Sequence, residues 1–293
     1  DDGLIPAVET GMAVTRRLGL LGASVTQHPQ FAELLSWLDQ DRFDDIRLSV
    51  SSVRAATVTP QLSGILARRG SRSLTIAIES GSERMRRVVN KKLETGEIFA
   101  AIRHASEGGL KGVKLYGMAG LPSEEEADVE ATAELLLALK KASPGLRLSL
   151  GVSTFVPKAH TPFQWEGVRP EAEKRLKLLA KRLKPKGIEL RPESYGWSVI
   201  QALISRSDRR LAPVIARVRG RQESLGGWKQ TYRSVRDGDA DRPAGEPVSL
   251  PSPPPWEEVV HSTWQGERTL PWDHLEGPLP RETLLRHRLE ALA

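Results

Sequence analysis

Between residues 17 and 156 the chain alternates short β-rich runs with longer helical stretches, and this period limits the fold more than any single motif does. The β runs RLGLLGA (17–23), IRLSVSSV (46–53), SLTIAI (73–78), GVKLYGM (112–118) and LRLSLGVSTFV (146–156) begin 29, 27, 39 and 34 residues apart. Each interval is about one βα unit, so the pattern predicts an α/β fold of parallel strands joined by right-handed crossovers. Five such strands suit either a barrel or an open doubly wound sheet, and periodicity does not choose between them.

The intervening segments read as helices with one buried face. Phe31, Leu34, Leu35 and Leu38 keep the i, i+3, i+4, i+7 spacing. Thr59-Pro60 supplies an N-cap and a first-turn proline ahead of Leu62, Ile65 and Leu66. Ile98, Ile102 and Ala105 repeat the stripe before Gly108-Gly109 stops it, and Ser123-x-x-Glu126 reads as a capping box for the leucine-rich helix that follows. Leu176, Leu179 and Leu183 form the apolar side of a basic helix that Pro185 and Gly187 end, and LIPAVETGMA reads as a helix before the first strand.

The pattern changes after about residue 195. The reading divides the chain into a barrel at 1–195, a helical extension at 196–236, a connector at 237–255 with six prolines, and a tail at 256–293. The tail holds Trp256, Trp264 and Trp272, three of seven tryptophans, and is expected to pack back rather than stay exposed.

Composition removes several chemistries. The 293 residues include no cysteine, which excludes disulfides, thiolate zinc sites and cysteine-held iron-sulfur clusters within the chain. No apolar run approaches the roughly 18 to 20 residues that cross a bilayer, and no leader opens the chain, so a cytoplasmic protein without a membrane is expected. The net charge of +6 lies wholly in residues 151–293, since residues 1–150 carry 19 Lys/Arg against 19 Asp/Glu. Basic residues cluster at 174–186 and 206–221; they read either as solvated helix faces or as an RNA-binding surface.

In parallel βα folds, functional groups gather where strands end. The strand ends here carry Gly22-Ala23-Ser24, then Ser49, Ser51, Ser52 and Arg54, then Glu79-Ser80-Gly81-Ser82 with Arg84, then Tyr116 to Pro122, and lastly Phe155-Val156-Pro157-Lys158 with His160, Gln164 and Trp165. A structural reading stands beside each. Ser80-x-x-Glu83 also fits a capping box, and Glu79, a carboxylate beside a core strand, needs a partner, for which Arg54 or Arg84 is at hand. Ser24 has no His and Asp at triad spacing, and His261 and His274 read as structural.

The ordered series LGLLGAS, SVSSVRA, TIAIESGSERMRRVVNK, KLYGMAGLPSEEEADVE and VSTFVPKAHTPFQW, over about residues 14–200, resembles the radical S-adenosylmethionine (radical SAM) enzymes. It is similar in particular to the subgroup with methylthiotransferase-like barrels, often preceded by a cobalamin-binding domain. The resemblance implies a partial (β/α) TIM-like barrel, strands 2–6 of a (β/α)6 core, with a C-terminal helical and irregular extension. It places Gly22, Ala23 and Ser24 where the methionine amino group of the cofactor is held, although a Glu usual after the glycines is missing. It places Glu79 and Ser80 at the ribose hydroxyls, Arg84 at the cofactor carboxylate, and Tyr116, Met118, Phe155 and Val156 beside adenine. Lys158, His160, Gln164 and Trp165 fall in the loop expected to meet substrate.

One departure stands out. The resemblance implies a CxxxCxxC loop holding a [4Fe-4S] cluster, and this chain has no cysteine and starts with Asp1. The expectation is therefore the C-terminal part of a longer enzyme, inactive alone and lacking the cluster segment, a cysteine-free pseudoenzyme being the less favoured reading. By resemblance the parent protein would cleave S-adenosylmethionine to a 5′-deoxyadenosyl radical that abstracts hydrogen from a small-molecule or RNA substrate. Its partners would be a reductant such as flavodoxin or ferredoxin, and cobalamin through an upstream domain. The alternative is a non-catalytic module, RNA-binding through helices 174–186 and 206–221. An ordinary phosphate-binding βα enzyme is disfavoured because GxxxxGK[ST] and GxGxxG loops are absent.

Overall fold

The computed structural model describes residues 3–22, 24–219, 224–238 and 251–293. Ala23 and most of the proline-rich connector lie outside the described residues. The chain divides into two compact units, residues 1–117, 125–152 and 177–192 in one, and 118–124, 153–176 and 193–293 in the other.

In chain order the elements of the βα region are α1 (Leu4–Met12), β1 (Arg17–Leu20), α2 (Phe31–Leu38), β2 (Arg47–Val50), α3 (Pro60–Arg68), β3 (Ser73–Glu79), α4 (Glu83–Val88), α5 (Thr95–Glu107), β4 (Gly112–Ala119), α6 (Glu126–Ala142), β5 (Arg147–Thr154), α7 (Glu171–Leu183) and β6 (Glu189–Pro192). Sequence neighbours pair in parallel where β1 meets β2, β3 meets β4 and β5 meets β6. β1 and β2 run with Leu18 beside Leu48, and β3, β4, β5 and β6 form a four-stranded sheet in that order. A bridge from Val53 to Ile76, with Val53 N–H donating to Thr75 O at 2.9 Å, ties the two together. The order never reverses, as in a barrel and unlike a doubly wound sheet, but the sheet is not closed among the described residues.

Period-2 alternation fixes which face is buried. Leu48, Leu74, Ile76, Ile78, Val113, Leu115, Leu148, Leu150, Val152 and Leu190 are all buried. Their neighbours Ser49, Thr75, Lys114, Tyr116, Ser149, Glu189 and Arg191 look out from the other face, half-buried or exposed. Parallel strands normally carry apolar residues on both faces, so a polar, open face marks where this sheet meets something other than a helix. β6 is a strand the sequence pattern did not show, because ELRP is short, charged and closed by a proline, all traits of an edge strand.

The helices follow their sequence signals closely where caps are simple. The Thr59 hydroxyl accepts from Leu62 N–H at 3.1 Å, and the α5 stripe is buried as Ile98, Ala101, Ile102 and Ala105. Gly108 is needed for contact: a Cβ there would lie 2.3 Å from Ser63 Cβ of α3. Two caps differ from expectation. α4 is capped by Ser82 rather than Ser80, and α6 by Glu125 with Asp128 rather than by Ser123 with Glu126. In each case the preceding turn spends a left-handed residue, Glu79 at φ 63° and Ser123 at φ 59°, and so delays the helix.

The second unit holds α8 (Tyr195–Arg206), α9 (Ala212–Val218), α10 (Leu225–Asp237), α11 (Trp256–Val260) and α12 (Arg281–Leu292). One core joins Val199, Ile200, Leu203, Trp228, Tyr232 and Trp256, and a smaller one joins Trp165, Trp264, Leu270, Trp272 and Leu284. The tail thus packs on Trp165 of the segment after β5. Fully buried Arg206 secures it, donating to Val260 O at 3.1 Å and Ser262 O at 2.9 Å, with its guanidinium 3.8 Å from the Trp264 ring centre.

Candidate functional site

The turn after β3 is built from small residues because it presses on α6. A Cβ on Gly81 would lie 2.3 Å from Thr132 Cα, so only glycine fits. Gly81 N–H donates to Thr132 Oγ1 at 2.9 Å, and Ser80 Oγ lies 3.3 Å from the same oxygen. Ser82 Oγ donates to Asp128 at 2.6 Å while accepting from Met85 N–H at 3.3 Å, so it caps one helix and grips another.

Arg86, which sequence reading passed over, fastens the other side. Its side chain is 1% exposed and donates to Ser80 O at 2.9 Å, Gly81 O at 3.1 Å, Leu93 O at 2.8 Å and Thr95 Oγ1 at 2.7 Å. Burial pulls its pKa down, against the field of Glu83, which raises it. The signal for it was present in SERMRR, where the second arginine follows the N-cap serine at i+4 on the inner face of a short helix.

With its neighbours fixed, Glu79 is turned. Its φ of 63° and the register shift between Ala77 and Glu79 opposite β4 form a bulge, a device that re-aims a side chain at the end of a strand. Gly117 makes room: a Cβ there would lie 2.9 Å from Glu79 O. The Glu79 carboxylate pairs with Lys91 Nζ at 3.1 Å, so its partner is neither Arg54 nor Arg84. Lys91 comes from the turn after α4, where Asn90 is also left-handed at φ 52°. Both charges keep partial access to solvent, about a quarter for Glu79 and a third for Lys91.

The other residues predicted for the cofactor separate into groups. Ser80 is buried, its hydroxyl accepting from Ser82 N–H at 3.1 Å. Arg84 pairs with Asp128. Burial raises the Asp128 pKa, but hydrogen bonds from Arg84, Ser82 and Glu125 N–H, with the charge of Arg84, outweigh it and hold the carboxyl below its ordinary value. Tyr116 is half-exposed, its ring laid against Gly151, where a Cβ would meet it at 2.7 Å. After β1, Gly22 O accepts from Ser51 Oγ at 3.3 Å, and Ser24 Oγ donates to Gln27, so Ser24 opens a short 3-10 turn.

The remaining predicted residues belong to the second unit. Met118 is half-buried, and Phe155 and Val156 are buried, with Phe155 N–H donating to Ala119 O at 2.9 Å and its ring meeting Phe163 edge-on at 6.0 Å. Lys158 is exposed. His160 and Gln164 line a cavity of about 460 Å³ with Asp273, Glu276 and Arg281 from the tail. Gln164 Oε1 accepts from His160 N–H at 2.9 Å and from Trp272 Nε1–H at 2.7 Å. Trp165 has no exposed surface and forms the floor on which the tail sits. In the GMAGLPSEEE turn, Gly120 at φ 81° donates to buried Glu124 at 2.7 Å, which Arg175 holds at 3.0 Å.

Charges that looked free in the sequence are largely engaged. Arg175 is bound to Glu124, Arg182 to Glu130 at 2.9 Å, Arg210 to Asp208 at 2.7 Å, and Arg206 is buried. These four of the clusters' basic residues are held within the fold.

Residues 9–136, a little under half of the chain, match the family model described as Radical SAM superfamily. The uncharacterized protein MJ0966 of Methanocaldococcus jannaschii is 33% identical over 214 residues, 72% of this chain and 46% of that protein. The chain thus spans about half the length of the curated relative it matches. Coproporphyrinogen III oxidase (HemN) from Escherichia coli, a radical SAM enzyme, aligns with a TM-score of 0.43 at 21% identity, covering 59% of this chain and 41% of that one. A sugar phosphate isomerase/epimerase from Parabacteroides distasonis aligns with a TM-score of 0.34 at 12% identity, covering 66% and 69%. Members of that superfamily use S-adenosylmethionine and usually a [4Fe-4S] cluster. Neither the methylthiotransferase-like subgroup nor a cobalamin domain finds support in these matches.

The residues present do not fit the cluster. There is no cysteine, and the described residues contain no group of three His, Asp or Glu placed to hold a metal ion. No step is therefore derived through iron and sulfur. No helix among the described residues is long and apolar enough to cross a membrane.

Proposed function

We propose that the first unit binds S-adenosylmethionine on the open face of its sheet, as part of a radical SAM enzyme acting on a small-molecule substrate. The observation that carries this reading is Glu79. A half-buried carboxylate held in a left-handed conformation at a strand end costs about 1–2 kcal/mol, which packing alone gives no reason to spend. An ionised carboxylate accepts hydrogen bonds only, and the two hydroxyls of a ribose are suitable donors. The Lys91 ammonium pairs with Glu79 and directs it.

Tyr116 offers a flat ring on the same face, backed by Gly151, against which an adenine could stack. S-adenosylmethionine supplies hydrogen-abstracting radical chemistry in such enzymes; the role of these residues is to bind and orient it. Ser80 and Arg84 act one layer further out, Ser80 fixing the turn and Arg84 locking Asp128. Of the predicted substrate residues, His160 and Gln164 are the ones to test, since they line a cavity.

Calorimetric titration of S-adenosylmethionine into the chain tests the assignment. Glu79→Ala should weaken binding roughly tenfold or more, the order of a lost charge-assisted hydrogen bond pair. Equal affinity of the two proteins would remove Glu79 from the site. The RNA reading keeps one measurable form, a steep fall in single-stranded RNA affinity with salt that charge-removing substitutions at Lys174 and Lys177 abolish.

A further inference from the structure

At the opposite end of the same open face the sheet carries a second cluster. Arg72 precedes β3, Lys114 lies on β4, Arg147 begins β5 and Arg191 lies on β6, and together with Ser73 and Ser149 they line a cavity of about 160 Å³. One carboxylate, Glu189, shares this cavity, and Arg191 takes it at 2.8 Å. That hydrogen bond, with the fields of Arg191, Arg147 and Lys114, holds the Glu189 pKa below its ordinary value. Arg72, Lys114 and Arg147 form no ion pair among the described residues.

Several other arginines of the unit do have a carboxylate partner, Arg16 with Asp45, Arg68 with Asp39, Arg69 with Asp44 and Arg182 with Glu130. The N-terminal ends of parallel strands usually serve stability, and unmatched like charges around a small cavity do the reverse. Their mutual repulsion is relieved by an anion, and paired guanidinium groups suit the two oxygens of a carboxylate or phosphate.

We propose that Arg72, Lys114, Arg147 and Arg191 form an anion site that takes the carboxylate or phosphate end of a small-molecule ligand. The site has a direction. Tyr116 follows Lys114 by two residues on the same strand and face, about 7 Å further along. Glu79 closes the row at the far end of the neighbouring strand, beside Gly117. A ligand anchored here would extend along β4 toward Tyr116 and the cofactor proposed there and at Glu79. Resting on the reading above, the anchored molecule is the substrate, and the reaction class is one whose substrate is acidic.

The test is titration of the whole chain with inorganic pyrophosphate and, separately, with tricarballylate, at low ionic strength. Saturable binding of either supports the site, and the one that binds identifies phosphate or carboxylate. The double variant Lys114→Gln, Arg147→Gln should weaken that binding roughly tenfold or more, whereas Arg103→Gln on α5 should leave it unchanged. Glu189→Gln removes the competing carboxylate and should tighten it, a gain that poor folding cannot imitate. Glu79→Ala should leave the anion affinity intact, so failure of the cofactor reading and failure of this one are distinguishable. No saturable binding of either anion, or equal affinity in the double variant, overturns the proposal. So does single-stranded RNA binding that depends on these residues when neither small anion binds.

Discussion

Gly81→Ala isolates the contact that positions Glu79. The added Cβ would lie 2.3 Å from Thr132 Cα, 2.8 Å from Ala131 O and 2.9 Å from Thr132 N, all backbone atoms that cannot swing aside. Ordinary contact requires α6 and the turn to separate by about 1 Å, and close-packed interiors do not absorb that without loss. Overpacking of this kind costs about 1–3 kcal/mol. Separation also stretches the bonds from Gly81 N–H to Thr132 and from Ser82 to Asp128, each worth about 1 kcal/mol. The expected sum is about 2–5 kcal/mol, or a fall in melting temperature of roughly 5–15 °C for a unit of this size. Gly96→Ala is the matched control. Nothing lies within 4 Å of its Cβ position, and it sits in the first turn of α5, so alanine should be neutral or stabilise by up to about 1 kcal/mol. Urea denaturation followed by circular dichroism measures both. If Gly81→Ala loses no more than Gly96→Ala, the turn does not depend on contact with α6.

Three further outcomes are expected. Because the Asp128 pKa is depressed in the folded protein, its stabilising effect is complete above the unfolded value near 3.8 and is lost as pH falls through the folded value. Asp128→Asn should therefore be less stable than the native chain at neutral pH and lose less on acidification, and parallel acid-unfolding curves would sink this. Burial pushes Tyr195 and Tyr232 up to about 12, so the folded state keeps protons that the unfolded state releases, and stability declines as pH rises from about 10 through 12. An ultraviolet titration of phenolate should show these two of the three tyrosines ionising only near that upper value, and full ionisation by pH 11 without unfolding would refute it. Trp272→Phe removes the indole donor to buried Gln164 Oε1 and should cost about 1–3 kcal/mol, read as a lower urea midpoint; an unchanged midpoint would show the tail is not fastened there.

The βα frame was legible because it is written twice, in apolar periodicity and in spacing. Phe31, Leu34, Leu35 and Leu38 are buried as their stripe predicts, and Thr59-Pro60 starts its helix where caps and proline say it should. What escaped sequence reading was pairing at a distance. The cations in the dozen residues after Glu79 include Arg84, Arg86 and Lys91. Composition does not reveal that Asp128 takes the first, that backbone carbonyls take the second, or that a left-handed Asn90 presents the third. The partners of Arg175, Arg182 and Arg210 in the basic clusters, Glu124, Glu130 and Asp208, were hidden for the same reason.

The stretch from Ile78 to Lys91 shows why a carboxylate can follow directly on a core strand. Ile78 has no exposed surface, and the next residue is charged, a change that a regular strand would make only by exposing or stranding the charge. The bulge at Glu79 breaks the alternation at that point, Gly117 and Gly81 clear space on either side, and Arg86 ties down the carbonyls that the irregular turn leaves free. Each of these features costs stability by itself: a left-handed non-glycine residue, two glycines beside a strand end and a buried guanidinium. Their concentration in one turn is the pattern expected where local stability is exchanged for the direction of a single side chain. The partly buried ion pair with Lys91 offsets some of that cost, on the order of 1 kcal/mol. A ligand at Glu79, as proposed above, would supply further stabilisation, and Glu79→Ala in the calorimetric titration tests it.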